Sequence, residues 1–281
     1  MPGGRQRNSV PGMAYEHLEI ERDGHVATIW LNRPEKLNAM SADIWVDIPE
    51  AVTELDADDE VRVLVLAGRG EAFTVGIDVG LLATVQPSGP SPAAGNAELY
   101  KTIKRLQETV SCFAETPKPV IAAVHGYCLG GGANLISACD IRLASTDAVF
   151  SIRETKMGLV ADIGALQRLP AIVGNGVTAE MALTGADYSA SWALEKGLVT
   201  RVFDDRETLM EGAHELAAQI AANSPLVTQG IKRVIQANDG RTVDQALDYM
   251  AQWNSSFLMS NDLMEAMNAF VEKRDPNYTG T

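Results

Sequence analysis

The sequence lacks what staples or metallates small folds. Its three cysteines, Cys112, Cys128 and Cys139, are an odd number and include no C-x-x-C pair. Neither a disulfide framework nor a zinc ribbon is expected, and a reducing, cytoplasmic setting is the default. The four histidines, His17, His25, His125 and His214, form no H-E-x-x-H or similar ligand cluster, so no metal site is expected. No apolar run reaches the ~18 residues that span a bilayer. Basic residues are few, 23 against 37 acidic, for a net charge of −14. Such a surface repels phosphate backbones, so nucleic acid is not an expected partner, and any phosphate-bearing ligand needs a local basic or amide-rich site.

What is present is ordinary globular material, 46% hydrophobic and 21% charged over 281 residues. That suits about two domains, or one large α/β unit with a helical appendage. Residues 1–13 carry two arginines and no apolar h-region, which reads as a flexible tail, with a vestigial transit peptide as the alternative. Two β-rich runs, Tyr15 to Glu21 and His25 to Leu31, flank Asp23-Gly24 and predict a hairpin. Ser41 should cap a helix with Ile44, Ile48, Val52 and Leu55 on one face and Pro49 kinking it or delaying its start. Val61 to Ala67 and Pro119 to Val124 read as strands buried on both faces. The Pro, Ser, Gly and Ala between Gln86 and Gly95 read as a mobile loop, followed by a helix from Glu98 to Glu115. After Val202 the pattern becomes all-helical, with faces marked by Leu209, Ala213, Leu216 and Ile220 and by Leu263, Met267, Phe270 and Val271. The expected organisation is thus a tail (1–13), a β/α core (14–202) and a helical region (203–281).

Three segments can carry chemistry. A strand empties into Gly130-Gly131-Gly132 and a helix. Free amides there stabilise an anion or oxyanion, or the glycines serve tight packing alone. Gly76-Ile77-Asp78 is a turn into a helix with Asp78 as an N-cap. Glu154 and Asp162 stand among Met157, Leu159, Val160 and Ile163, which suggests burial of Asp162. Two carboxylates in such a pocket separate their pKa values into a base and an acid. The structural alternative pairs Glu154 with Arg153 or Lys156 and uses Asp162 to cap the helix near Gly164.

The combination resembles the crotonase (enoyl-CoA hydratase/isomerase) superfamily. The motifs are N-R-P-E-K-L-N-A-M at Asn32 to Met40, A-F-T-V-G-I-D at Ala72 to Asp78, G-Y-C-L-G-G-G-A-N-L at Gly126 to Leu135, C-D-I-R at Cys139 to Arg142, and S-A-x-x-A-L-E-K-G-L-V at Ser189 to Val199. Within it, G-L-V-A-D-I-G-A-L-Q-R-L-P at Gly158 to Pro170 and L-D-Y-M-A-Q-W-N at Leu247 to Asn254 are most similar to the Δ3,5-Δ2,4-dienoyl-CoA isomerases. Most hydratases carry glycine where this chain has Asp162.

The resemblance implies an α/β fold, a ββα spiral followed by a C-terminal helical oligomerisation region that builds trimers or hexamers. It implies an acyl-CoA thioester as ligand and no metal or redox cofactor. The backbone amides of Ile77 and Gly131 would form an oxyanion hole, Glu154 would be the base at C2 and Asp162 the acid at C6. Lys36, Leu37, Ala39, Val75, Gly76, Asp78, Val79 and Gly130 would line the substrate and CoA path. One position departs from the pattern: where hydratases carry Glu and dienoyl isomerases Asp, this chain has Asn134. An amide exchanges no proton at useful pH but can orient a water or a carboxylate. A 2-enoyl-CoA hydratase and a catalytically silent acyl-CoA-binding protein are the alternatives. RNA binding by a crotonase-fold protein is opposed by the charge.

Overall fold

Strict two-residue alternation builds the central layer. The computed structural model describes residues 8–9, 15–82 and 89–281. Its strands are β1 (Asn8–Ser9), β2 (Leu18–Asp23), β3 (Val26–Leu31), β4 (Val63–Gly68), β5 (Val120–Val124), β6 (Tyr127–Leu129), β7 (Ile141–Ser145), β8 (Val149–Ser151), β9 (Tyr188–Ser189) and β10 (Arg201–Phe203). Seven form one sheet in the order β1-β2-β3-β4-β5-β7-β10, parallel from β3 onward. The antiparallel β2–β3 hairpin turns at Gly24, whose φ is +58°. Ala27, Ile29, Leu31, Leu64, Leu66, Val120, Ala122 and Val124 pack into one apolar cluster, and Val26, Trp30, Val63, Val65, Ile121 and Ala123 into another. Both faces are therefore covered, as parallel sheets require.

The helices are α1 (Ala42–Asp56), α2 (Val79–Leu82), α3 (Pro92–Glu115), α4 (Gly131–Ser137), α5 (Ala165–Thr184), α6 (Ala190–Glu195), α7 (Arg206–Ala221), α8 (Pro225–Ala237), α9 (Val243–Phe257) and α10 (Asn261–Glu272). α7 lays Leu209, Ala213, Ala217 and Ala221, one residue every four, on the second face of the sheet. It belongs to the chain's own core, and Leu216, on the face that marks this helix in the sequence, packs against that cluster. Phe270 does remain outside, 86% exposed on α10.

Two further expectations change. Pro49 does not delay α1, which starts at Ala42 directly after Ser41 and continues through the proline to Asp56. The carbonyl that its missing N–H would have engaged, that of Trp45, instead accepts Thr109 Oγ1 of α3 at 2.6 Å. The expected loop over 86–95 ends early, because Ser91 Oγ caps the Ala94 N–H and Pro92 opens α3. Residues 83–88 lie outside the described residues, as do most of 1–14, of which Asn8 and Ser9 pair with Arg22 and Glu21.

A second sheet, β6-β8-β9, branches from the first. The chain leaves β5 through His125 and Gly126, where φ is +54° and a Cβ would stand 2.1 Å from the Glu71 carbonyl. Only glycine makes that turn. β6 then runs beside the strand-like segment 72–78, bridged at Thr74 and Cys128. This pairing delivers the glycine triplet to Ile77.

Candidate active site

The loop 33–40 is set by a buried amide. A short 3-10 turn, Pro34–Lys36, ends in left-handed Leu37 (φ 50°) and Asn38 (φ 55°). Asn38 is fully buried, accepts the Arg33 N–H at 2.8 Å, and donates to the carbonyls of Arg69 and Ala72 at 2.8 and 2.7 Å. Its own carbonyl accepts Thr74 Oγ1 at 2.6 Å, and Thr74 Oγ1 accepts the Gly76 N–H at 3.0 Å. Met40 then pairs on both sides of Ile77: its N–H donates to Gly76 O at 2.8 Å and its carbonyl accepts the Asp78 N–H at 3.1 Å. The amides flanking Ile77 are thus engaged, while the Ile77 N–H points to no protein acceptor among the described residues.

The second donor arises the same way. Gly130, at φ +50°, gives its N–H to Ser151 O at 2.9 Å and its carbonyl to the Asn134 N–H at 3.1 Å. Gly131, the first residue of α4, has an amide with no acceptor among the described residues. A Cβ on Gly76 would stand 3.1 Å from Gly131 N, and one on Gly131 would stand 3.5 Å from Ile77 N. Two neighbouring free amides with no side chain between them make an oxyanion-binding geometry.

Glu154 sits on the 3-10 turn Arg153–Met157 with its carboxylate beside Gly130, where an added Cβ would lie 3.7 Å from Oε2. Oε1 accepts Asn134 Nδ2 at 2.9 Å, and Oε2 is buried with no hydrogen-bond partner. Burial raises the Glu154 pKa above the ordinary carboxylate value; its own N–H and Asn134 pull it down, and the charge of Asp162 pushes it up again. Asp162 is also raised, by desolvation, although its side chain remains open to solvent.

That exposure corrects the expected burial. Met157, Leu159 and Val160 are 54, 45 and 75% exposed, and only Ala161 and Ile163 point inward. The stretch from Gly158 to Gly164 has no regular structure and runs over the surface, held where Gln107 Nε2 of α3 reaches the Asp162 carbonyl at 2.7 Å. The structural alternatives also fail. Arg153 pairs with Asp187 at 2.6 Å rather than with Glu154, and the first amide of α5, Ala165 N–H, is capped by Asn134 Oδ1 at 2.7 Å, not by Asp162.

A cavity of about 620 Å³ opens beside the oxyanion site. Lys36, Ala39, Val75, Ile77, Asp78 and Val79 line it, with Arg33, Tyr127, Leu129, Arg153 and Asp187. Leu37, Gly76 and Gly130, expected along the same path, are not among the lining residues; the Leu37 carbonyl accepts the Val75 N–H at 3.1 Å. Asp78 does cap: Oδ1 accepts the Gly80 N–H at 2.9 Å, and Oδ2 accepts Arg33 Nη1 at 2.7 Å, which lowers its pKa. Among the described residues the one group able to share an ion, Glu16, His17 and Asp43 with ligand atoms within 4.8 Å, includes no residue of this site. Sequence reasoning missed Asn38, Arg33 and Asp187; the first two stand inside a quoted motif, but their partners are 31 to 45 residues away.

Comparison with known proteins agrees with this geometry. The family model for enoyl-CoA hydratase/isomerase matches residues 21–281. The chain is 42% identical over 275 residues to the mitochondrial Δ(3,5)-Δ(2,4)-dienoyl-CoA isomerase of Mus musculus, covering 96% of this chain and 84% of that protein. It is 42% identical to the peroxisomal Δ(3,5)-Δ(2,4)-dienoyl-CoA isomerase of Arabidopsis thaliana, covering 94% and 98%. The crystal structure of a putative enoyl-CoA hydratase from Streptomyces coelicolor superposes with a TM-score of 0.87 at 31% identity, each chain fully covered. The chain belongs to the enoyl-CoA hydratase/isomerase family and is an enzyme of the crotonase fold.

Proposed function

We propose that the protein isomerises 3,5-dienoyl-CoA to 2,4-dienoyl-CoA in fatty acid oxidation. The observation that carries the reading is the buried, unpartnered Glu154 Oε2 beside Gly130, the residue that precedes the Gly131 amide, with Asp162 as the second carboxylate acting on it. The thioester oxygen accepts hydrogen bonds from Ile77 and Gly131 N–H, Glu154 takes a proton from C2, and the charge spreads along the dienolate. Asp162 gives a proton to C6, so C3=C4 and C5=C6 become C2=C3 and C4=C5. One oxyanion donor contributes about 3–4 kcal/mol to such a step. Glu154 must start ionised and Asp162 protonated, and the charge of Asp162 adds to the burial that raises the Glu154 pKa. No cofactor is required beyond the coenzyme A carried by the substrate.

Asn134 disfavours hydration, which needs a second carboxylate at that position to handle the water. The test is 3,5-octadienoyl-CoA followed by the ultraviolet absorbance of the conjugated product, with crotonyl-CoA hydration in parallel. Growth of the diene signal with little hydration supports the proposal. Hydration alone overturns it in favour of a hydratase, and tight thioester binding with neither reaction favours a silent binding protein.

We further propose a homotrimer or homohexamer. Met267, Phe270 and Val271 on α10 are 56, 86 and 79% exposed, and α9 buries no residue within the chain. A monomer at micromolar concentration in light scattering overturns this. None of the described helices is long and apolar enough to cross a membrane. The cytoplasmic assignment rests on three free cysteines, whereas the mouse and Arabidopsis relatives are named mitochondrial and peroxisomal. The acidic charge argues against nucleic acid as a partner.

A further inference from the structure

Asp162 stands between two residues that are buried while it is exposed. Ala161 and Ile163 belong to the same core cluster as Val110 and Phe113 of α3. Apolar contacts of this kind are non-directional, and this stretch has no strand or helix to fix its backbone. Among the described residues, one hydrogen bond ties residues 160–163 to another element: Gln107 Nε2 of α3 donates to the Asp162 carbonyl at 2.7 Å. The Gln107 amide is itself oriented. Lys104 Nζ donates to its Oε1 at 3.0 Å, and an ammonium cannot accept, so the Nε2 edge is the one turned to Asp162. Four residues on, one helical turn, Ser111 Oγ accepts Arg168 Nη2 at 2.8 Å. The Arg168 guanidinium lies against Gly164, whose φ is +129°, and leaves no room there for a Cβ. α3 thus holds the segment at Asp162 and again at the start of α5. It is a firm support, because Thr109, Val110 and Phe113 are fully buried and Thr109 Oγ1 donates to the Trp45 carbonyl of α1 at 2.6 Å.

We infer that Gln107 is a positioning residue for the acid: its amide fixes the Asp162 backbone so that the carboxyl stays in reach of C6 once C2 has lost its proton. The bond falls on the carbonyl of Asp162 and leaves the carboxyl free to carry a proton and give it up. Glu154 is fixed from elsewhere, by Asn134 Nδ2 of α4 at 2.9 Å, and no contact joins Gln107 to Glu154 among the described residues. The two halves of the proton transfer therefore rest on separate supports, the base on α4 through Asn134 and the acid on α3 through Gln107. Loss of the second support should disturb only the second proton transfer.

This inference rests on the dienoyl-CoA isomerase reading, and the experiment separates the two. With 3,5-octadienoyl-CoA in deuterated water, ultraviolet absorbance reads formation of the 2,4-diene and mass spectrometry reads exchange of the C2 hydrogen. Gln107→Leu removes the donor at similar size, and is expected to lower diene formation about 10–100-fold, the cost of a misplaced reacting group. C2 exchange is expected to stay at or above the parent's rate, because Glu154 and its supports are untouched. A role confined to folding would lower both together. Gln107→Glu keeps the shape and the Lys104 contact but turns an acceptor toward the Asp162 carbonyl; it is expected to show the same split, and it decides should Gln107→Leu not fold. Diene formation equal to the parent's overturns the inference and leaves Ala161 and Ile163 as the hold on the acid. Equal loss of diene formation and exchange also overturns it and makes the bond a brace for the fold. Absence of diene formation in the unmodified protein would instead remove the isomerase reading itself.

Discussion

Asn134 Nδ2 donates to Glu154 Oε1 at 2.9 Å, while the other edge of the same amide, Oδ1, accepts the Ala165 N–H at 2.7 Å. The second bond fixes which edge faces the base, since a backbone N–H needs an acceptor. Asn134 therefore always offers Glu154 a donor, which favours the ionised carboxylate, and it leaves Oε2 as the oxygen free to react. It acts as a positioning residue and links the oxyanion turn, through Gly130 O at 3.0 Å, to the start of α5.

Replacing that donor reverses the electrostatics. In Asn134→Asp one oxygen must accept from Ala165 and the other then faces Glu154, adding a second negative neighbour to Asp162. Like charges disfavour ionisation, so the Glu154 pKa rises further. The acid limb of kcat/KM against pH is expected to move to higher pH relative to the parent. An unmoved limb means that Asn134 does not govern the base.

Glu154→Gln tests the cost of the base to the fold. The Glu154 pKa is raised in the folded state, chiefly by burial. Between the unfolded and folded pKa values the native state binds more protons, so this group's contribution to stability is greatest at low pH and declines as pH rises through the folded pKa. Glutamine keeps an acceptor for Asn134 and carries no charge. The variant should lose activity by about 10²–10⁴-fold and melt higher than the parent at pH 8, with the gap closing near pH 4. Equal melting temperatures at pH 8 contradict the burial argument.

The two glycines of the oxyanion site should separate chemistry from folding. At Gly131 an added Cβ meets the flexible Met40 Sδ at 3.2 Å and Ile77 N at 3.5 Å. It fills the space for the thioester oxygen, so Gly131→Ala should fold and lose about 10²–10³-fold in kcat. At Gly76 the Cβ meets the Leu129 carbonyl at 2.7 Å with φ at +90°. Gly76→Ala should therefore fall in melting temperature as well as in rate. Similar melting temperatures for both variants would show that the segment 72–78 yields more easily than its hydrogen bonds imply.

How much of this was legible in sequence follows the range of the interactions. Periodicity placed β3, β4, β5 and α1 because burial repeats every two or every three to four residues. Local chemistry could not show that Thr109 relieves Pro49, that α7 closes the second face of the sheet, or that Asn38 joins residues 33, 69 and 72, since each depends on residues far along the chain. The site residues were found through motif resemblance, whereas their wiring was not. Asp162 looked buried because its neighbours are apolar, yet Leu159 and Val160 face outward and composition alone carries no direction.

Asp162→Asn isolates the last proton. Asp162, the proposed acid, is exposed, stands outside the oxyanion geometry, and acts on Glu154 only through charge. Its loss leaves the Ile77 and Gly131 amides and the Glu154–Asn134 bond in place, so the C2 proton can still be removed and returned. In deuterated water the variant should therefore continue to exchange the C2 hydrogen of 3,5-octadienoyl-CoA while formation of the 2,4-diene falls about 10²–10⁴-fold. Glu154→Gln should lose both exchange and isomerisation. If Asp162→Asn keeps full isomerisation, the C6 proton comes from elsewhere and Asp162 is not the acid; if it loses exchange as well, the two carboxylates do not divide the reaction as proposed.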